Sequence, residues 1–449
     1  MITPTANWKA ACPQNVDASQ SLVHIMTIAG NPIGPLAYRS PGSDPTFGAP
    51  YIISLGGGGM ESDGLECTAT NGTMSIETLD YNFIVTNAIQ AGTLEGLQVT
   101  ITSGFKGLAS ADFIPYGTYI IDSIEPLKAN IAYRFNLRDL GLLMEQTIWP
   151  YGDNSDFPVS SDNPLTVVGD PMSILTEILE TECGYPSGNV NAAVIAAYQA
   201  GLFNGCEMQF SVTQSPQAKA WVNQEIFNPL SGFGFWNSAG QYTPKFLLPQ
   251  GPPSVASYPV FTTKSILDPI PTPSAGPYCA ALLMMMDYDG SNYKSQILTT
   301  DAAGLALYDG VMQVTNRQSD GLRSANGGSL YAQLAASATF RRYANKPWVL
   351  NFKSPWPAIL LEVGDVVPVT HPQIPLKGEG MGFTNRWFEV QKKEPDWSNG
   401  TVDLSLIDVN WQNQTQRVIA PDGTPNFAGS SPTQQGEYLY PDQGQVIYA

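Results

Sequence analysis

Alternation of polar and apolar residues is the first pattern along the chain. Thr73-Met74-Ser75-Ile76-Glu77-Thr78-Leu79 alternates except at Glu77-Thr78, and Leu97-Gln98-Val99-Thr100-Ile101-Thr102 switches at every position, the period of a strand with one buried face. These two segments (73–80 and 97–103) join shorter apolar runs at 21–28, 51–55 and 118–124, all separated by Gly, Pro and Asn clusters. Five short strands at this spacing predict a sandwich or barrel over residues 1–164. Residues 133–149 add a sixth strand and a short helix.

The period changes after a turn-rich linker at 155–163. Asp170 is a helix cap and Pro171 suits a first helical position. Met172, Leu175, Ile178 and Leu179 then share one face, and Gly184 ends the helix. Two further helices are predicted over 191–202 and 216–227, so residues 165–275 read as a small α+β domain. Strands return at 280–288 and 293–299, joined by a hairpin turn at Asp289-Gly290-Ser291-Asn292. An Ala-rich helix at 330–343 and strands at 348–353, 361–369, 387–391 and 401–409 follow. Residues 276–411 therefore predict a second β-barrel domain with its own helix. Residues 412–449 are rich in Gln, Asn, Gly, Pro and Ser and too poor in apolar residues for a core. They read as an extended C-terminal arm that orders against a partner, with Tyr438, Tyr440 and Tyr448 as anchors.

Composition narrows the function classes. Charged residues are 13% of the 449, about half the usual ~25%, which suits a loop-rich β protein that buries surface in an assembly. With 21 basic and 39 acidic residues the net charge is −18, which argues against sequence-specific or other phosphate-directed nucleic-acid binding. The five cysteines (Cys12, Cys67, Cys183, Cys206, Cys279) have no C-x-x-C spacing, so neither a zinc site nor a disulfide framework is expected. No secretory signal is expected at the N-terminus. The most apolar run, 279–286, is far too short for a membrane span.

Candidate chemistry is sparse. His24 lies in an apolar strand and His371 precedes Pro372; any histidine-based triad would need one of them, and both read as structural. Gly56-Gly57-Gly58-Gly59 is followed by Met60-Glu61-Ser62-Asp63 and not by the Lys-Ser/Thr of a phosphate loop, so a flexible loop between strands is expected. Gly378-Glu379-Gly380-Met381-Gly382 reads as a hairpin loop. Asp287-Tyr288-Asp289-Gly290 has its glycine too early for an EF-hand. Asp153, Asp156 and Asp162 share a loop that a cation could visit, but scattered surface acids are the plainer reading. Trp149, Trp236, Trp348, Trp356, Trp387 and Trp397 could line a sugar groove; no carboxylate pair is tied to them, and packing is expected for most. No catalytic, cofactor-binding or metal-ligating residue is assigned.

The order of several segments carries a resemblance. Residues 361–372 place Gly364-Asp365 at a turn before an apolar strand. Asn385-Arg386-Trp387-Phe388-Glu389-Val390, the turn Asp396-Trp397-Ser398-Asn399-Gly400 and the strand at 401–409 follow, all after the Ala-rich helix at 330–343. This run resembles the final barrel of bacteriophage tail hub (baseplate hub or tail tip) proteins. Pro171-Met172-Ser173-Ile174-Leu175 with Cys183-Gly184 is similar to the helix opening the middle domain of such hubs. Residues 113–122 and 133–139 are similar to the closing strands of their first barrel.

The resemblance implies a mainly β fold with an α+β insert, two tail-tube-like β-barrel domains flanking a small helical domain. It implies a homotrimer whose six barrels make a pseudo-sixfold ring joining the tail tube to a central fibre or spike. The implied partners are the tail tube or distal tail protein, the fibre or spike protein and, as a further neighbour, the tape measure protein. The implied location is the virion tail tip, assembled in the host cytoplasm. A non-enzymatic structural role is expected, with no fused lysozyme or peptidase module. The alternatives are another tail part (a distal tail ring or fibre adaptor), a wall- or carbohydrate-degrading tip enzyme, or a receptor-binding protein. The arm at 412–449 has no counterpart in the family pattern.

Overall fold

The alternating segments near the N-terminus close on themselves. In a computed structural model, the chain is described at residues 1–12, 22–30, 32–38, 48–92, 94–128, 131–248, 259–267, 270–307, 309–376, 380–409, 418–419 and 438–439. Helix α1 (Ala6–Ala11) starts at Thr5, whose Oγ1 accepts the Trp8 N–H at 3.1 Å, and delivers Trp8 onto Phe105, with centroids 5.3 Å apart. The strands that follow are β1 (Leu22–Ile28), β2 (Leu36–Tyr38), β3 (Ala49–Gly57), the hairpin β4 (Met60–Asp63) and β5 (Thr68–Asn71), then β6 (Met74–Leu79). Helix α2 (Ile84–Gln90) precedes β7 (Gln98–Phe105), β8 (Ile114–Lys128) and β9 (Ala132–Asp139).

Seven of these strands form a closed barrel in the order β1-β2-β3-β6-β9-β8-β7, with β7 returning antiparallel to β1. Closure removes the open edges that a sheet would expose. The predicted alternation holds: Met74, Ile76, Val99 and Ile101 are buried, and Ser75, Glu77 and Thr100 are not. The short β2 escapes the sequence pattern because three residues are too few for a period to show.

The middle segment starts with β10 (Leu165–Gly169), which pairs with β11 (Met208–Val212). Asp170 caps α3 (Pro171–Glu177), its Oδ1 accepting the N–H groups of Met172 and Ser173, each at 3.0 Å. The helix runs on as a π-helical turn, Ile178–Glu182, and Gly184 follows at φ +72°. Met172, Leu175, Ile178 and Leu179 are all buried, as their spacing predicted. Helix α4 (Ala192–Ala200) is capped by Asn191. Helices α5 (Ala218–Trp221) and α6 (Asn228–Leu230) flank a second π-helical stretch, and β12 (Gly232–Trp236) pairs with β13 (Tyr242–Phe246).

Beyond the two-residue β14 (Ser274–Ala275), β15 (Ala281–Tyr288) pairs antiparallel with β16 (Tyr293–Thr300). After α7 (Ala302–Leu307), β17 (Val314–Gln318) pairs parallel with β15. Helix α8 (Gly328–Tyr343) covers this small sheet, and its buried face belongs to the same core as α3, the helices around Phe227 and β15. The chain then forms β18 (Trp348–Pro355), β19 (Val366–Leu376), β20 (Gly380–Asp396) and β21 (Thr401–Asp408). Val402, Leu404 and Leu406 alternate inward as predicted.

These late strands form a second, seven-stranded sheet, β14-β18-β21-β20-β4-β5 with β19 also on β20. Two of its strands come from the hairpin that interrupts the barrel. One hydrophobic core accordingly runs through both β units, from Met26, Ile76 and Phe135 to Leu350, Val390 and Leu406. The mainly β architecture, with two barrel-like units and inserted helices, agrees with the fold class expected from the sequence. In the arm, β22 (Val418–Ile419) and β23 (Tyr438–Leu439) pair parallel. The expected anchors Tyr440 and Tyr448 lie outside the described residues. Among the described residues no helix is long and apolar enough to cross a membrane.

Candidate assembly site at the junction of the two β units

The four-glycine run is where the chain passes from one β unit to the other. Gly56 and Gly57 end β3 inside the barrel, and Met60 begins β4 in the second sheet. Gly57 and Gly58 adopt φ +75° and +81°, the left-handed region that glycine tolerates. A Cβ on Gly57 would lie 2.3 Å from the Thr73 carbonyl oxygen. Two backbone bonds clamp the crossing: Gly58 N–H to Thr73 O at 2.9 Å and Gly72 N–H to Gly59 O at 2.6 Å. The segment joins strands as expected, but the expectation of a flexible loop is corrected. Close backbone approach, not mobility, is what the glycines serve.

Beyond this crossing, β4 pairs with β20 through Glu61↔Lys392 and Met60↔Lys393. The indole N–H of Trp397 donates to Gly57 O at 3.0 Å, and the Tyr116 hydroxyl donates to Gly58 O. Tyr116 meets Trp397 edge-on at 4.6 Å, and His24 packs against Trp397 at 4.9 Å and Trp356 at 5.4 Å. Lys393 is fully buried, 5.0 Å over the Tyr116 ring, with its ammonium donating to Ile359 O at 3.2 Å. Burial pushes Lys393 down to about 8 against the opposing pull of Glu362 and Asp365, and burial holds His24 down at about 3. The node is aromatic and closed to solvent, a construction for rigidity.

A charged node ties in the middle segment. At the Gly364-Asp365 turn, Asp365 accepts from Lys245 of β13 at 2.9 Å and from the Glu362 N–H at 2.9 Å. Glu362 accepts the Ser238 N–H at 2.9 Å and pairs with the Met1 ammonium at 2.8 Å. Burial raises both carboxyls, but the neighbouring cations outweigh it and hold Asp365 and Glu362 below the usual carboxylate range. Gly364 sits at φ +75°, and a Cβ there would meet the Lys245 side chain at 2.6 Å. The turn that carried the resemblance thus anchors three parts of the chain. Nearby in the same sheet, Arg386 pairs with buried Asp408, and Arg342 of α8 pairs with Glu389 at 3.0 Å.

The remaining candidates fall apart in space. His371 is buried, and its Nδ1 accepts the Gln373 N–H at 3.2 Å. Asp289 caps its own turn through the N–H groups of Ser291 and Asn292, so Asp287–Asn292 is a hairpin turn. Asp153 accepts from Thr166, and Asp156 and Asp162 are exposed. Gly380 and Gly382 lie within β20, whereas Gly378 and Glu379 lie outside the described residues. Trp149, Trp236, Trp356 and Trp397 are buried, and Trp348 and Trp387 are half-buried. The five cysteines are buried free thiols. Among the described residues no three His, Cys, Asp or Glu side chains are grouped to hold a metal ion. Neither Lys393 nor the β4–β5 hairpin stands out in the sequence. The alternation Met60-Glu61-Ser62-Asp63 is the local signal for the hairpin, but the four glycines before it favour a loop.

No protein-family model matches the chain, and no curated protein matches it. Among solved structures it is similar to a 43 kDa tail protein of prophage MuSo2 from Shewanella oneidensis, at 11% identity and TM-score 0.47 over 87% of this chain and 99% of that one. A tail protein from Neisseria meningitidis is similar at 11% identity and TM-score 0.44, over 86% of this chain and 96% of that one. A prophage tail protein from Listeria monocytogenes is similar at 9% identity and TM-score 0.44, over 86% and 94%. Over most of its length, this chain is similar to phage tail proteins.

Proposed function

We propose that the chain is a structural protein of a phage tail, a hub at the tail tip, which acts by assembly and not by catalysis. The observation that carries this reading is the junction. Two barrel-like units of one chain are fused by an exchanged hairpin and a shared core, so each copy presents both in one fixed relation. Three copies then supply six similar units, which matches a threefold tip to a sixfold tube. The net charge of −18 suits a wall past which DNA slides without sticking. In this reading the hub contacts the tail tube or distal tail protein above, a central fibre or spike below, and the tape measure protein on its axis. It works in the virion after assembly in the host cytoplasm.

Copy number tests the proposal. Native mass measurement of the purified 48.4 kDa chain is expected to give about 145 kDa, a closed trimer. Three copies per virion, located at the tip by immuno-electron microscopy, are also expected. Six or twelve copies would overturn the hub in favour of a tail ring. Clearing of host wall polymer by the isolated chain would overturn the structural reading.

A further inference from the structure

Helix α4 has almost no polar face, yet it lies on the surface. Its sequence is Ala192-Ala193-Val194-Ile195-Ala196-Ala197-Tyr198-Gln199-Ala200, and only Ile195 is buried. All five alanines are exposed. A helix of this composition belongs against another element. Beside it lies α3. Near the start of α3, the Ser173 hydroxyl accepts from the Gln199 side-chain amide at 3.0 Å, and Asp170 accepts from the same amide at 3.3 Å. Gln199 is near the end of α4, so the two helices run antiparallel and are tied at this end. Between them lies a groove of about 530 Å³.

The spacing of the residues along the groove fixes the shape of its occupant. Helix α3 and its π-helical turn contribute Ser173, Thr176, Glu177 and Glu180, and α4 contributes Ala192, Ile195, Ala196 and Gln199. Both sets are spaced i, i+3, i+4, i+7, the face that one helix offers to another. Two antiparallel helices that turn such faces into one groove form two sides of a three-helix packing. Buried Val190 and Ile195 give the groove an apolar floor, and alanines at 192 and 196 let a third backbone come close. The Thr176 hydroxyl already donates to Met172 O at 2.8 Å, so it brings no unpaired donor to the groove.

Charge selects the occupant's chemistry. Glu177 and Glu180 stand on the α3 side, and no cation lines the groove. The chain as a whole has 39 acidic residues against 21 basic ones, so a second copy carries the wrong sign. A helix with an apolar stripe and a basic flank suits both walls. Its stripe covers α4, and its cations meet the two glutamates.

We propose that the α3–α4 groove seats an amphipathic helix of another protein, whose apolar stripe is flanked on one side by lysine or arginine. The seat is independent of the tail reading, because it follows from the two helix faces alone. Synthetic peptides of about 14 residues, four helical turns, test it on the full chain by fluorescence anisotropy. A helix-forming peptide with Leu and Ala at i, i+3, i+4 and i+7 and Lys on one flank is expected to bind with a Kd of about 100 µM or tighter. Its Glu-flanked counterpart is expected to bind at least about tenfold more weakly. Glu177→Lys/Glu180→Lys is expected to reverse that order, and Ala196→Gln to weaken the Lys peptide at least about tenfold by blocking close approach. None of the three positions is buried, so the melting transition is expected to stay within a few degrees of the parent. The five native cysteines are buried, so a maleimide is expected to label Ala196→Cys fast in the free chain and at least about tenfold more slowly under saturating Lys peptide. Absence of binding, equal binding of the two peptides, or binding unchanged by Ala196→Gln overturns the proposal. Slow labelling of Ala196→Cys in the free chain overturns it too, since a segment of the same chain or a second copy would then fill the groove.

Discussion

His24 and Glu225 are both buried and titrate in opposite senses. Burial holds His24 down at about 3 from an ordinary 6.5. Burial and then the charge of Asp320 push Glu225 up to about 7 from 4.5; its Oε2 accepts the Asp320 N–H at 2.9 Å. The stability His24 contributes is present above pH 6.5 and is lost as pH falls toward 3. The contribution of Glu225 is present below pH 4.5 and is lost as pH rises toward 7. Each slope is about 1.4 kcal/mol per pH unit, so the two cancel between pH 4.5 and 6.5. Glu225→Gln is expected to make the melting temperature fall steadily on acidification from pH 6.5. His24→Phe is expected to make it rise from pH 7 to 4.5. Parallel profiles of parent and variants would contradict this account. Gly57 is equally specific. Gly57→Ala meets both a positive φ and the Thr73 carbonyl, and is expected to cost at least about 2 kcal/mol in urea unfolding.

The exchanged hairpin β4–β5 is the element on which the junction depends. Besides pairing with β20, it reaches the middle segment through Asn71, which donates to Trp236 O at 2.7 Å, and Met60 packs with Phe233, Phe235 and Val363. Trp397→Ala removes the indole that caps the crossing and is expected to cost roughly 3–5 kcal/mol. Tyr116→Phe keeps the ring under Lys393 but loses the bond to Gly58, and is expected to cost about 1–2 kcal/mol. Equal losses in the two variants would place the energy elsewhere. Elements with a full period were legible in the sequence: β6, β7, β21 and the buried face of α3 follow their patterns. So was the cap at Asp170, because capping is a local interaction. The hairpin was not legible as part of the second sheet, since its partner strand lies far along the chain and pairing over such distances leaves no local signal. Lys393 hides for the same reason: Lys392-Lys393 reads as a solvated pair until tertiary packing buries one of the two.

At the scale of the whole molecule, the core shared by the barrel and the second sheet predicts that the two β units open together. Native-state hydrogen exchange is expected to give the slowest amides of β6 and β21 the same opening free energy within about 1 kcal/mol. A gap of several kcal/mol would mean that the units open separately. The shared core also explains why local patterning finds two β units but not their fusion. Each strand's period records which face is buried, not what it is buried against.

The crossing at Gly57 also bears on how the chain is made. Its contact with Trp397 spans 340 residues. At ribosomal rates of about 5–20 residues per second, the partner strand emerges roughly 20–70 s after the hairpin. During that interval the barrel stands with its exchanged hairpin unpaired, and the apolar residues meant for the second sheet face water. Nascent chains are therefore most vulnerable to mispairing before β20 is synthesised, and newly made copies would benefit from a holding chaperone until their last strands arrive.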